Sequence, residues 1–224
     1  MKLLIANFKS NKNRHEMQEW TTEFSQVSNQ QTGISIVLCP PFPFLPLFEK
    51  LHSEHTFVGV QDISSYPAGA YTGAVSTYNL IDFNITYAII GHSERRRYFH
   101  ETSIEIAQKV RECLAAKITP IVCVTKDEIN ATANALSEEE RTHCIVAFEP
   151  IEHIGTGESD TLEHILETKK WVQTAFGSVP YIYGGSVNPS TDSQILTSTD
   201  IDGFLVGSAS LDPENFLSLV ELVR

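Results

Sequence analysis

The sequence predicts a closed barrel of eight parallel strands, each followed by a helix: the (β/α)8 arrangement. Three observations lead there. Short apolar runs alternate with longer amphipathic segments eight times along 224 residues, the order that builds a parallel sheet covered by helices. The apolar runs lack a clean in-and-out alternation, as strands buried on both faces do. The length suits one barrel domain spanning 1–224. A doubly wound open sheet is the competing architecture, because counting units does not establish closure. That fold places a Gly-x-Gly-x-x-Gly turn after its first strand. Here the turn reads Asn7-Phe8-Lys9-Ser10-Asn11 and has no glycine.

The units follow in order. Residues 3–8 are strand-like, and 14–27 read as a helix with Met17, Trp20, Phe24 and Val27 on one face. Residues 34–39 form a strand that Pro40-Pro41 ends, and 44–51 are helical. A strand over 57–61 leads into a polar loop, 62–73, and a short helix, 76–83. Strand 86–91 precedes helix 103–116, and strand 119–124 precedes helix 127–141. Strand 144–148 precedes helix 162–176, with Ser159-Asp160 as its N-cap and Glu163 at capping-box spacing. The last strands are 180–183 and 202–206. Asn188-Pro189 and Asp212-Pro213 each read as an N-cap followed by a first-turn proline, and the final helix covers 213–223.

Composition narrows the function classes. A formal net charge of −12 argues against nucleic acid or an anionic membrane as partner. No apolar run approaches the about 20 residues needed to span a bilayer, and the N-terminal run meets the polar Asn7 too early for a signal peptide. Cys39, Cys113, Cys123 and Cys144 lack zinc-ligand spacing. They read as small buried hydrophobes in a reduced, cytoplasmic setting.

The chemistry gathers at one stretch, residues 145–157. Four apolar residues end a strand, and Glu149 stands where the strand stops, kept extended by Pro150. A loop with Ile151, Ile154 and two glycines follows. Apolar side chains on such a loop suit a cover over a carboxylate. In a barrel of this kind, reacting groups lie where strands end and loops begin. The polar residues at those places are Asn7 and Lys9 after the first strand, residues 91–96 (Gly-His-Ser-Glu-Arg-Arg) after the fourth, Glu149 after the sixth, residues 184–186 (Gly-Gly-Ser) after the seventh, and residues 207–210 after the eighth. Taken singly, each also fits a bland role: a solvated lysine, a structural histidine, a tight turn. Their joint appearance favours a reacting site.

The motifs Asn7-Phe8-Lys9, residues 90–96 around His92, residues 147–151 around Glu149, Ile154-Gly155-Thr156-Gly157, residues 183–187 and residues 202–207 resemble triosephosphate isomerases, in order and along the whole chain. The resemblance implies interconversion of dihydroxyacetone phosphate and glyceraldehyde 3-phosphate, with no metal and no organic cofactor. It implies Glu149 as the base, His92 as the electrophile, and Asn7 and Lys9 on substrate oxygens. Gly155, Ser186, Gly207 and Ser208 match positions that hold the phosphate. It also implies a homodimer formed through loop 62–73. A non-catalytic phosphate-binding barrel would need neither base nor electrophile, and a Schiff-base aldolase would want a lysine on a central strand.

The chain departs from the family's pattern in places. Glu152 stands where tryptophan is usual, Thr125-Lys126 where a glycine and a glutamate are usual, and Phe148 where tyrosine is frequent. Ala74 replaces a frequent glutamate, and Ser208 a frequent glycine. The exchange of an indole for a carboxylate beside a new lysine points to a Glu152–Lys126 ion pair.

Overall fold

Eight parallel strands close on themselves in the computed structural model of the chain, which describes residues 2–28, 33–151 and 160–223. The strands are β1 Lys2–Asn7, β2 Ile34–Cys39, β3 Thr56–Val60, β4 Tyr87–Ile90, β5 Thr119–Val124, β6 Ile145–Phe148, β7 Tyr181–Tyr183 and β8 Gly203–Val206. Their spatial order is their chain order, and β1 pairs with β8, so the open-sheet alternative is excluded. Around them run α1 Arg14–Ser28, α2 Leu45–Phe48, α3 Ser93–Phe99, α4 Ser103–Ala115, α5 Ile129–Asn134, α6 Glu138–Thr142, α7 Leu162–Phe176, α8 Ser193–Thr197 and α9 Pro213–Val223.

Strand alternation explains both the core and the site. Leu3, Ile5, Val37, Cys39, Ile89, Ile121, Cys123, Ala147, Ile182 and Leu205 meet inside the barrel. The intervening residues, such as Leu4, Ala6, Val122 and Val206, belong to the larger core between strands and helices. Both faces are buried, which is why the strands read as continuous apolar runs. On α1, Met17, Trp20 and Phe24 are buried as the 3.6-residue period requires. Trp20 stacks on Phe24 at 4.9 Å between centroids and takes Phe8 edge-on at 4.8 Å. The side chain of Val27 lies outside those described.

Several elements differ from their sequence expectation, each for a local reason. The helix expected over 127–141 is two helices, α5 and α6. Ser137 starts α6 with a capping box: its Oγ accepts from Glu140 N–H at 3.2 Å, and its N–H donates to Glu140 Oε2 at 2.7 Å. Residues 42–51 form the single turn α2 between two three-residue 3-10 turns, with Pro43 and Pro46 each near the start of a turn. The expected short helix at 76–83 is 3-10 over Thr77–Phe83 and capped by Ser76. Asn188-Pro189 opens no helix. Asn188 Oδ1 accepts from Ser190 N–H at 2.8 Å in a side-chain turn, and α8 begins later, where Asp192 accepts from Gln194 N–H. The N-cap of α7 is Thr161, whose hydroxyl accepts from His164 N–H at 3.3 Å. Asp160 instead accepts from Thr161 N–H at 2.7 Å, and Ser159 lies outside the described residues.

Candidate functional site

The inward-facing series along each strand continues past the strand's end. Leu3 and Ile5 are followed at the same parity by Asn7, Ala147 by Glu149, Ile182 by Gly184 and Leu205 by Gly207. These positions therefore open into the barrel mouth at the carboxyl ends of the strands. A cleft of about 160 Å³ lies there, lined among others by Asn7, Lys9, His92, Glu149, Ser186 and Gly207. His92 breaks the parity. Gly91 before it has φ +70°, a conformation that turns the chain and re-aims the next side chain into the cleft.

Asn7 is buried, and its Oδ1 accepts from the Lys9 N–H at 3.0 Å. That bond helps hold Lys9 at φ +50°, uncommon for a residue with a Cβ. Gln61 completes the clamp: its Nε2 donates to the carbonyls of Lys9 and Cys39, both at 2.9 Å. The Lys9 ammonium lies 2.7 Å from Glu94 Oε1 and close to Gly207.

His92 caps α3. Its Nδ1 accepts from the Glu94 N–H at 3.2 Å, so the proton of the neutral ring sits on Nε2. Nε2 points at Glu149 Oε1, 2.9 Å away. Glu149 is almost wholly buried and well supplied with donors. Its Oε2 accepts from the Ser93 N–H at 2.8 Å and its Oε1 from Ser93 Oγ at 3.2 Å. The carboxylate thus rests against the first turn of α3, where the peptide N–H groups and the helix dipole favour negative charge. Gly184 lies against it: a Cβ there would stand 3.2 Å from Glu149 Cγ. The Cys123 thiol is pushed well above its ordinary range by burial and by the nearby Glu149 charge.

The β7 and β8 ends bring Ser186, Gly207 and Ser208 to the same cleft. Gly155, with Ile154 and Glu152, lies outside the described residues. Of the expected site residues, seven are therefore placed together: Asn7, Lys9, His92, Glu149, Ser186, Gly207 and Ser208. Three contributors had no role assigned to them from the sequence, and one of them, Gln61, was not singled out at all. Gln61 follows Phe57 and Gly59 at inward parity, a signal that strand alternation carries. Ser93 and Glu94 lie within the quoted histidine motif, but their partners became visible only in three dimensions. Among the described residues no group of three or more His, Cys, Asp or Glu side chains is arranged to hold a metal ion. No described helix is long and apolar enough to cross a membrane.

The barrel and its mouth define a class: a (β/α)8 protein with a buried carboxylate and an imidazole facing each other over a cleft beside a lysine. Comparison with known proteins gives the family. The sequence profile described as Triosephosphate isomerase matches residues 2–223. The chain is 35% identical over 240 residues to the triosephosphate isomerase of Mesomycoplasma hyorhinis, covering 98% of each chain. It is 34% identical over 247 residues to that of Herminiimonas arsenicoxydans, again 98% of each, and 30% identical over 239 residues to that of Mycoplasma mobile, 98% of this chain and 99% of the relative. The chain belongs to the triosephosphate isomerase family, a family of isomerase enzymes.

Proposed function

We propose that this protein interconverts dihydroxyacetone phosphate and D-glyceraldehyde 3-phosphate by proton transfer through an enediolate, as a step of glycolysis and gluconeogenesis. The observation that carries the reading is the facing pair of His92 Nε2 and Glu149 Oε1 at 2.9 Å, set in a cleft that also holds Asn7 and Lys9. A substrate entering between them takes over both partners. The Nε2–H turns to the carbonyl oxygen, and the carboxylate leaves Ser93 for the carbon beside the carbonyl. Glu149 removes a proton from C1 of the ketose as negative charge moves onto the C2 oxygen. At His92 a proton passes from the C1 hydroxyl to the C2 oxygen. The protonated Glu149 then returns its proton to C2, leaving the C1 aldehyde and the C2 hydroxyl. Carbon acids of this kind are too weak for a solvated carboxylate, so burial of the base and fixed donors to the enediolate supply the driving force. Asn7 and Lys9 contact substrate oxygens. The Lys9 ammonium brings positive charge to a dianionic substrate in a chain of net charge −12.

In this reading the phosphate is held by Gly155, Ser186, Gly207 and Ser208, largely through backbone N–H groups. The chemistry calls for no cofactor. Four buried cysteines, all free, suit the cytoplasm. A homodimer through loop 62–73 is supported by Tyr66 and Tyr71, which stack at 4.6 Å while remaining exposed, and by exposed Phe99, which lines the same surface hollow as Tyr66. Sedimentation at micromolar protein is expected to give twice the chain mass, and a fully active monomer would refute the dimer. The activity itself is tested by coupling glyceraldehyde 3-phosphate consumption to reduction of the dihydroxyacetone phosphate formed. Absence of turnover in the folded protein would overturn the reading.

A further inference from the structure

Ser210 lies behind the β8 turn and is fully buried, outside the cleft that Gly207, Ser208 and Ala209 line. Its hydrogen bonds converge on one carbonyl. Ser210 Oγ donates to the Gly207 oxygen at 2.7 Å, and Ser210 N–H donates to the same oxygen at 2.9 Å. The hydroxyl also lies 3.4 Å from the Asn7 carbonyl oxygen at the end of β1. The Ser210 carbonyl is itself anchored by Trp20 Nε1–H at 3.0 Å, deep in the aromatic cluster. We infer that Ser210 is a positioning residue for phosphate recognition, acting by fixing the direction of the Ser208 N–H.

The reasoning is geometric. A peptide group is planar and trans, so the C=O of residue 207 and the N–H of residue 208 point in opposite directions. Two donors from buried Ser210 hold that carbonyl toward the interior, which turns the Ser208 N–H outward to the cleft. A flipped peptide would present a carbonyl oxygen to the phosphate, replacing attraction with repulsion. The contact to the Asn7 carbonyl ties the same hydroxyl to the strand end that carries Asn7 and Lys9, so the two sides of the cleft share one brace. The proposal rests on the reading of Gly207 and Ser208 as phosphate contacts.

The test uses Ser210→Ala, which removes the hydroxyl and keeps the backbone donor, and Ser210→Thr, which retains a hydroxyl. Inorganic phosphate is the probe, with its Kd measured by 31P NMR. Ser210→Ala is expected to weaken phosphate binding about three- to tenfold, the range one hydrogen bond spans. The kcat/KM on glyceraldehyde 3-phosphate should fall by a similar factor, while that on glyceraldehyde, which has no phosphate, falls far less. Ser210→Thr should recover most of the loss. Partial unfolding would raise the apparent Kd and lower kcat/KM on both substrates alike, so the variants are checked by far-UV circular dichroism and the difference between the two substrates separates the role from instability. An unchanged phosphate Kd, or equal losses on both substrates, overturns the role. The phosphate Kd decides it even for a protein without turnover, so failure of the isomerase reading and failure of this one are separable.

Discussion

His92 and Glu149 face each other at 2.9 Å, Nε2 to Oε1, and each is held from behind by the same turn of helix. Glu94 N–H donates to the imidazole and Ser93 N–H to the carboxylate. The first turn of α3 therefore aims both groups. It fixes which ring nitrogen accepts, and its peptide N–H groups favour negative charge on the Glu149 carboxyl.

Shortening Glu149 tests its proposed role as the base. Glu149→Asp withdraws the carboxylate by about one methylene, and a misplacement near 1 Å can cost roughly a hundredfold in rate. The variant is expected to keep its fold and its phosphate affinity and to lose most of kcat. Steady-state kinetics beside a far-UV circular dichroism spectrum measure both, and full activity would remove Glu149 from the role of base.

The tautomer of His92 is a second, independent expectation. With Nδ1 accepting from a backbone N–H, 15N NMR of the ring at neutral pH should show a bare Nδ1 and a protonated Nε2. His92→Gln should preserve a donor yet lower kcat substantially, since the donor is displaced from the imidazole position. A ring protonated on both nitrogens at pH 7 would contradict the observed acceptor geometry.

Much of this site was legible in the sequence, because its polar residues and glycines stand at successive strand ends within family motifs. Asn7, Glu149, Gly184 and Gly207 stand where apolar strands stop, which marks them in the sequence, and in the structure they prove to be the next inward positions beyond the apolar series. Legibility ended where side chains override the local pattern. Residues 127–141 have one helical periodicity but two helices, because Ser137 and Glu140 close a capping box in its middle. Asn188-Pro189 carries a helix-start signature, yet Asn188 satisfies a turn of its own. Gln61 and Ser210 are plain polar residues until the chain brings the carbonyls of Lys9 and Gly207 beside them. Their partners lie 52 and three residues away, and spacing identifies neither.

Loop 62–73 begins at a charge network with its own pH dependence. Asp62 meets Lys109 Nζ at 2.6 Å and Arg95 Nη2 at 2.9 Å, while Glu101 shares both cations. Burial pushes the Asp62 carboxyl up to about 6; the Glu101 charge adds to the rise, and Lys109 and Arg95 oppose it. The folded protein thus holds this proton more tightly than the unfolded chain, where the carboxyl titrates near 3.8. Asp62's contribution is greatest below that value and is lost as pH rises through about 6. A shift of about two units corresponds to roughly 3 kcal/mol. Urea unfolding of the wild type and Asp62→Asn from pH 4 to pH 7 should show the wild type losing stability relative to the variant as pH rises. A difference that does not vary with pH would refute the assignment.

The last expectation concerns Lys126, for which the sequence suggested Glu152 as partner. Glu152 lies outside the described residues, and the Lys126 ammonium sits 4.6 Å from the centroid of the Trp171 ring. His164 meets the same indole edge-on at 5.8 Å, and Phe148 does so at 6.4 Å, so the ring is fixed by packing before the lysine reaches it. A cation over an indole face is attracted by the ring quadrupole, worth about 0.5–1 kcal/mol at an exposed site. An exposed ion pair would contribute a comparable about 0–1 kcal/mol but would be screened by salt. Two double-mutant cycles separate the alternatives, one with Lys126→Gln and Trp171→Leu, the other with Lys126→Gln and Glu152→Gln. The ring partner predicts coupling in the first cycle that largely survives high salt, and weaker coupling in the second. Zero coupling to Trp171, with a salt-sensitive coupling to Glu152, would return Lys126 to the carboxylate.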